Sequence, residues 1–416
     1  MKEKLFNKIY NILHWSEKYT RTDMVYLFRG GIWLFLGQII SSLSVFLLAI
    51  AFANLLPKET YGTYRYVLSM AGILGVFSLT GMGTAITRAV ARGFEGILKK
   101  AFWIQMKWGL IMFFASLAVG IYYFLNGNRT LAVCFLIVGS FSPLLNSANT
   151  FSSFLNGKKD FKRITQYNIL SVIFSSLALL TTVLITKRPF FLILTYFVAS
   201  AITNVFFYIK TLRVFKPNKE QDPETISYGK HLSLMNIITT IANYLDGPLV
   251  FHFLGAASLA VYSLAIAPPE QIKALFKNIG GLALPKFSEN TKEEIKKTIF
   301  RKMFIFGLVI SSAVLLYIIF APLAYKIFFP KYLESVFYSQ IYALSIIAIV
   351  IYLPFSAMEG QMATKQLYFL NFWSSLVQII LLTVFIFFWG IWGAIASRVI
   401  SRFLNLFFSV WLLKKF

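Results

Sequence analysis

Apolar runs of about twenty residues alternate along the chain with short polar gaps. A helix needs roughly 20 apolar residues to cross the hydrocarbon core of a bilayer. Twelve segments meet that requirement, near 30–54, 61–87, 101–125, 130–155, 163–186, 190–212, 230–254, 257–283, 302–325, 336–362, 366–389 and 391–413. The gaps leave no room for a soluble domain; the longest polar stretches are the N-terminus, 213–229 and 284–301. The pattern predicts an all-α polytopic membrane protein with twelve transmembrane helices. Within the N-terminal segment 1–29, Leu5, Phe6, Ile9, Ile12, Leu13 and Trp15 recur at roughly helical spacing, with Lys4, Lys8 and Asn11 between them. That spacing fits a short amphipathic helix on the membrane surface, the alternative being an unstructured basic tail. No compact apolar stretch with a small-residue cleavage site is present, so this is not read as a removable signal.

Composition agrees. Of the 416 residues, 58% are hydrophobic and only 13% charged, against roughly 45–50% and about 25% in soluble domains. A soluble enzyme, a disordered chain and a fibrous repeat are excluded. The formal net charge of +24 would point to nucleic acid in a soluble protein, but here the basic residues sit between apolar runs. Alternate gaps differ sharply: one set carries 28 Lys and Arg, the other 6. Positively charged loops stay on the cytoplasmic side, so both termini are expected in the cytoplasm of a cell whose cytoplasmic membrane the chain spans. An even number of spans follows. The single cysteine, Cys134, lies in an apolar run and reads as a packing residue.

The chain also resembles itself. The junction Leu55–Tyr64 superposes without a gap on Phe253–Tyr262 at a shift of 198 residues, and the same shift brings Arg88 onto Lys286. Six spans per repeat give two lobes of the same orientation, related by a pseudo-two-fold along the membrane normal. The expected division is an N-lobe over 30–212, a cytoplasmic linker over 213–229 and a C-lobe over 230–416. The linker is polar and broken by Pro217 and Pro223.

At these junctions the residues resemble a known family. Leu55-Leu56-Pro57-Lys58-Glu59-Thr60-Tyr61-Gly62 leads into Gly81-Met82-Gly83-Thr84-Ala85-Ile86-Thr87-Arg88. A second block runs Tyr244-Leu245-Asp246, Phe253-Leu254-Gly255, Val261-Tyr262-Ser263-Leu264-Ala265 and Leu284-Pro285-Lys286-Phe287-Ser288. Both resemble polysaccharide-export flippases of the multidrug/oligosaccharidyl-lipid/polysaccharide exporter superfamily. The resemblance implies two six-helix bundles in a V, working by alternating access. It implies transfer of a lipid-linked oligosaccharide between leaflets. The partners it implies are that lipid, the membrane lipids and a glycan polymerase or glycosyltransferases of the same pathway. Peptidoglycan-precursor flippases of the superfamily usually carry two further spans, which this chain lacks.

Ionisable groups inside a membrane are costly, at roughly 2.5–3.5 kcal/mol for a central Arg, Lys or Asp on insertion scales. The spans contain Arg65, Lys107, Asp246, Glu270, Lys273, Lys277, Glu359, Arg398 and Arg402. The excess of basic groups suits a cavity for a pyrophosphate headgroup. Arg398, Arg402, Lys273, Arg65 and, at the mouth of span one, Arg29 are the candidate substrate contacts. Arg398 and Arg402 are four apart and share a helix face, roughly 10–18 Å deep. The structural alternative is an ion pair with Glu359. Glu270 and Lys273 are three apart, beside Pro268 and Pro269, where a kink or an unwound turn is expected at a cavity wall; here the structural alternative is a self-satisfied pair. Asp246, Glu270 and Glu359 are candidates for ion coupling or gating, with an Asp246–Arg65 pair as one form of outer gate. Lys107, between Trp103 and Trp108, reads as an interfacial anchor. Pro143 and Pro354 are further candidate kinks.

There is no phosphate-binding Gly-Lys-Ser/Thr loop, and His14, His231 and His252 are scattered. No cofactor, metal or catalytic residue is therefore assigned. The expected function is a lipid-linked oligosaccharide flippase with a cationic cavity between the lobes. The alternatives are an ion-coupled multidrug extruder of the same fold and a polytopic glycan-modifying enzyme.

Overall fold

The computed structural model describes residues 24–276, 292–361 and 363–415. The expected surface helix, Lys277 and the Leu284–Ser288 block lie outside the described residues, as does the side chain of Arg29.

The described chain is helical, with no strand among those residues. The helices are α1 (Met24–Leu55), α2 (Lys58–Leu74), α3 (Met82–Ala91), α4 (Ile97–Leu125), α5 (Arg129–Ala148), α6 (Thr150–Gly157), α7 (Phe161–Ile185), α8 (Pro189–Phe215), α9 (Glu224–Met235), α10 (Ile237–Tyr244), α11 (Asp246–Phe276), α12 (Lys292–Phe328), α13 (Ser335–Leu344), α14 (Tyr352–Gly360) and α15 (Thr364–Lys415). Three short 3₁₀ segments cover Gly75–Ser78, Pro330–Tyr332 and Ser345–Ile351. Two polar side chains set helix starts. Asn128 accepts a hydrogen bond from the Leu131 amide at the head of α5, and Asp160 does the same for Arg163 at the head of α7.

Among the described residues nine helical stretches are long and apolar enough to cross a membrane, or ten with the pair Lys58–Ser78 and Met82–Ala91, bent by 53°. The two longest of the nine cannot be single straight spans. The stretches Ile237–Phe276 and Lys365–Lys415 hold 40 and 51 residues, about 60 and 77 Å of straight helix against a core of roughly 30 Å. Each contains one glycine with positive φ: Gly255 (84°) and Gly390 (57°). An L side chain is disfavoured there, and the chain turns. Tyr262 and Asp246 would lie about 24 Å apart along a straight helix, yet their side chains hydrogen-bond at 2.6 Å. Ser374 and Asn405 would be about 46 Å apart and bond at 2.8 Å. The chain therefore doubles back at both glycines.

Helix contacts within the first half join α4 to α5, α5 to α8, and α7 to α1 and α8. In the second half α11 packs on α13 and α15, α12 on α13, and α14 on α15. The principal crossing between halves is α2 against α11. There the backbones nearly touch: a Cβ on Gly62 would lie 1.8 Å from the Ala256 carbonyl oxygen. Tyr66 stacks on Phe251 with ring centroids 4.0 Å apart.

Loops pair by alternation. At one end, Asn54 donates to the Phe328 carbonyl, Lys331 to the Asn54 carbonyl, and Lys58 pairs with Glu334. At other loops, Lys158 pairs with Glu95, and the segment 216–223 docks on the turn Arg92–Gly96. Those docking contacts are Gly96 to Glu220 (2.9 Å), Arg92 to Asp222 (3.3 Å) and Glu95 to Asn218 (3.1 Å).

The α11 helix continues through Pro268 and Pro269; its non-helical dihedrals are at Gly255. Pro268 cannot donate to the Leu264 carbonyl. The Tyr325 hydroxyl donates to that carbonyl instead, at 2.8 Å. The expected unwound turn is therefore absent, because a side chain from α12 replaces the missing donor. Pro354 stands three residues after the end of the 3₁₀ segment Ser345–Ile351, where it removes the donor that would close an α-turn on Val350.

Candidate functional site

Arg65, Asp246, Glu270, Lys273, Arg398 and Arg402 line one cavity of about 410 Å³. It lies where α2, α10, α11 and α15 converge on the 3₁₀ segment after α13. Four formal positive charges face two negative ones.

The charges are organised in two knots, the first buried and the second half-buried. In the first, Arg398 Nη2 meets Asp246 Oδ2 at 3.0 Å and donates to the Asn243 carbonyl at 3.0 Å. Tyr262 donates to the same carboxylate at 2.6 Å. Asp246 occupies the first turn of α11, where the helix dipole also favours a carboxylate. In the second knot, Glu270 receives Arg402, Lys273 (2.9 Å) and the Tyr342 hydroxyl (2.6 Å). Arg402 further donates to Ser345 Oγ and Tyr342 Oη, both at 2.8 Å, and its guanidinium sits 4.9 Å from the Tyr342 ring centroid. Taking charges out of water costs several kcal/mol per ion unless partners replace the water. Both carboxylates have such partners.

Arg65 is different. It lines this cavity and two neighbouring ones of about 620 and 580 Å³. Its Nε is buried without a hydrogen-bond partner, and it forms no ion pair among the described residues. The expected Asp246–Arg65 pair is not formed, because Arg398 holds Asp246. Glu359 is exposed near the end of α14 and is not among the described residues lining these cavities. The partners expected of it are supplied by Asp246 and Glu270, which the hairpins bring to α15. The alternative of a Glu270–Lys273 pair is realised, with Arg402 added. Lys107 lies on α4 between exposed Trp103 and Trp108.

Three participants escaped the sequence reading: Tyr262, Tyr342 and Ser345. A tyrosine deep in an apolar span was the available signal, since a buried hydroxyl needs a partner. Among the described residues no three His, Cys, Asp or Glu groups gather as a metal site would require.

The apolar helical stretches and the charged cavity they enclose define a multi-pass membrane protein. The structure is similar to that of the lipid II flippase MurJ in an inward closed conformation (TM-score 0.70, 12% identity, 93% of this chain and 87% of that one). It is also similar to an outward-facing multidrug resistance MATE family transporter (TM-score 0.65, 13% identity, 93% and 96%). Residues 27–291 match the polysaccharide biosynthesis protein family, and the chain belongs to that family. An uncharacterized membrane protein of Methanocaldococcus jannaschii is 24% identical over 93% of this chain and 84% of its own length.

Proposed function

We propose that the protein moves a lipid-linked oligosaccharide across the cytoplasmic membrane by alternating access and catalyses no covalent step. The observation that carries this reading is Arg65: an intramembrane cation with no ion pair among the described residues and a buried, unbonded Nε, at the junction of three cavities. A pyrophosphate gives such a guanidinium the anionic acceptor the protein withholds. Arg398, Arg402 and Lys273 add positive potential while their own carboxylates keep them folded. A cation extruder needs free carboxylates, and Asp246 and Glu270 are both engaged.

We further read the chain as twelve spans in two lobes, counting each glycine reversal as a helical hairpin and the bent pair as one span. In this reading the lobes meet at α2 and α11, and both termini face the cytoplasm. An inside-negative potential then favours outward movement of the anionic headgroup, by about 2.3 kcal/mol per charge per 100 mV.

The test is translocation of a fluorescent lipid-pyrophosphate oligosaccharide in proteoliposomes. Arg65→Ala is expected to abolish it and Arg65→Lys to retain part. Unchanged transport by Arg65→Ala would overturn the assignment of Arg65. Absence of transport by the folded wild type would overturn the function.

A further inference from the structure

The cavity of about 620 Å³ differs from the charged one in its chemistry. Apart from Arg65, its described lining carries no acid and no base. Hydroxyls and amides dominate its polar wall: Ser69, Ser142, Asn146, Thr240, Asn243 and Tyr244. Ser142 is 2% exposed and its hydroxyl has no hydrogen-bond partner. A buried hydroxyl without a partner costs free energy that a ligand can recover.

The break in the second span reinforces this. Between α2 and α3 the chain passes through a 3₁₀ turn at Gly75–Ser78 and a left-handed Leu79 (φ 58°). Non-helical backbone at membrane depth is tolerated where it is buried in protein or lines a watery cavity. Here Gly72, Gly75, Ser78 and Thr80 line the cavity. Gln105 donates to the freed Ser78 and Leu79 carbonyls, at 3.2 and 3.3 Å. Its own Oε1 stays buried without a partner.

From these features we infer that this cavity is a saccharide subsite for a neutral, hydroxyl-rich sugar, the one attached directly to the pyrophosphate at Arg65. The inference rests on the flippase reading and refines it. Arg65 belongs to both cavities, so it stands where the phosphate ends and the sugar begins. The sugar's hydroxyls exchange water for Ser142, Asn146 and Asn243, and the ring faces of Tyr196 and Tyr244 offer an apolar wall. The two parts of one ligand are thus read by adjoining surfaces that share Arg65, Ser69, Asn243 and Tyr244.

Gly75 provides the test. A Cβ there meets nothing within 4 Å, and the residue is right-handed (φ −57°), so Gly75→Leu can enter the cavity without backbone strain. Binding is measured on the full chain in nanodiscs with two probes, a polyprenyl pyrophosphate and the same lipid carrying one neutral hexose. Wild type is expected to prefer the glycosylated lipid by about tenfold, the worth of two net hydrogen bonds. Gly75→Leu is expected to bring that ratio close to one, Ser142→Ala to lower it, and Gly75→Ala to keep it. Equal binding of both probes by wild type overturns the subsite and leaves the flippase. Binding of neither overturns both. A ratio unchanged in Gly75→Leu, or a free hexose competing as well as the glycosylated lipid, also overturns it.

Discussion

Neutralising one member of the Arg398–Asp246 pair should be far more damaging than neutralising both. The pair is 3.0 Å apart, with side-chain exposures of 10% and 11%, so bulk water does little to replace a lost partner. Arg398→Gln leaves Asp246 charged with Tyr262 as its one remaining donor. Asp246→Asn leaves a buried guanidinium whose remaining fixed partner is the Asn243 carbonyl. Stranding a buried charge costs about 3–5 kcal/mol, so two independent losses would sum to about 6–10 kcal/mol. The double variant has two neutral amides able to bond each other, and its cost should fall to about 2 kcal/mol. The coupling energy is then about 4 kcal/mol or more, within the range measured for close charge pairs. Equilibrium unfolding of the four proteins in detergent, followed by tryptophan fluorescence, gives the cycle directly. Single losses of about 1 kcal/mol that simply add would refute the reasoning. They would mean that cavity water, not Arg398, balances Asp246.

Other expectations follow from single contacts. Gly62→Ala places a methyl group 1.8 Å from the Ala256 carbonyl oxygen. It should force α2 from α11, seen as loss of a disulfide cross-link between cysteines introduced at Tyr66 and Phe251. Cys134 is fully buried and should resist maleimide in the folded protein and react only after denaturation, as read by intact-mass spectrometry. Lys58→Ala removes an exposed pair with Glu334 and should cost less than about 1 kcal/mol in the same unfolding assay. Gly390→Ala must hold φ 57° and ψ −132° with a side chain and should lose about 1–3 kcal/mol.

The helical, multi-span character was legible because the bilayer fixes a length and a hydropathy that no soluble fold needs. So were the intramembrane charges, which are conspicuous against apolar neighbours. Six of the proposed charged site residues do meet in one cavity. Their pairing was not legible. Glu359 was as good a partner for Arg398 as Asp246 on sequence separation and span membership alone. Only the reversals at Gly255 and Gly390 decide which carboxylate reaches α15. The effect of the prolines was not legible for a related reason. Pro268 and Pro269 do remove donors, but whether a helix breaks depends on what stands opposite, and Tyr325 lies 61 residues beyond the Leu264 carbonyl it bonds.

The sequence by itself determined the solvent of this protein, the placement of its apolar segments and the inventory of charges it must shelter, since each follows from local composition. The tertiary structure decided which of those charges neutralise one another, and it leaves Arg65 without an ion pair among the described residues. Pairing is a matter of a few ångströms between helices remote in sequence. No local pattern encodes that distance.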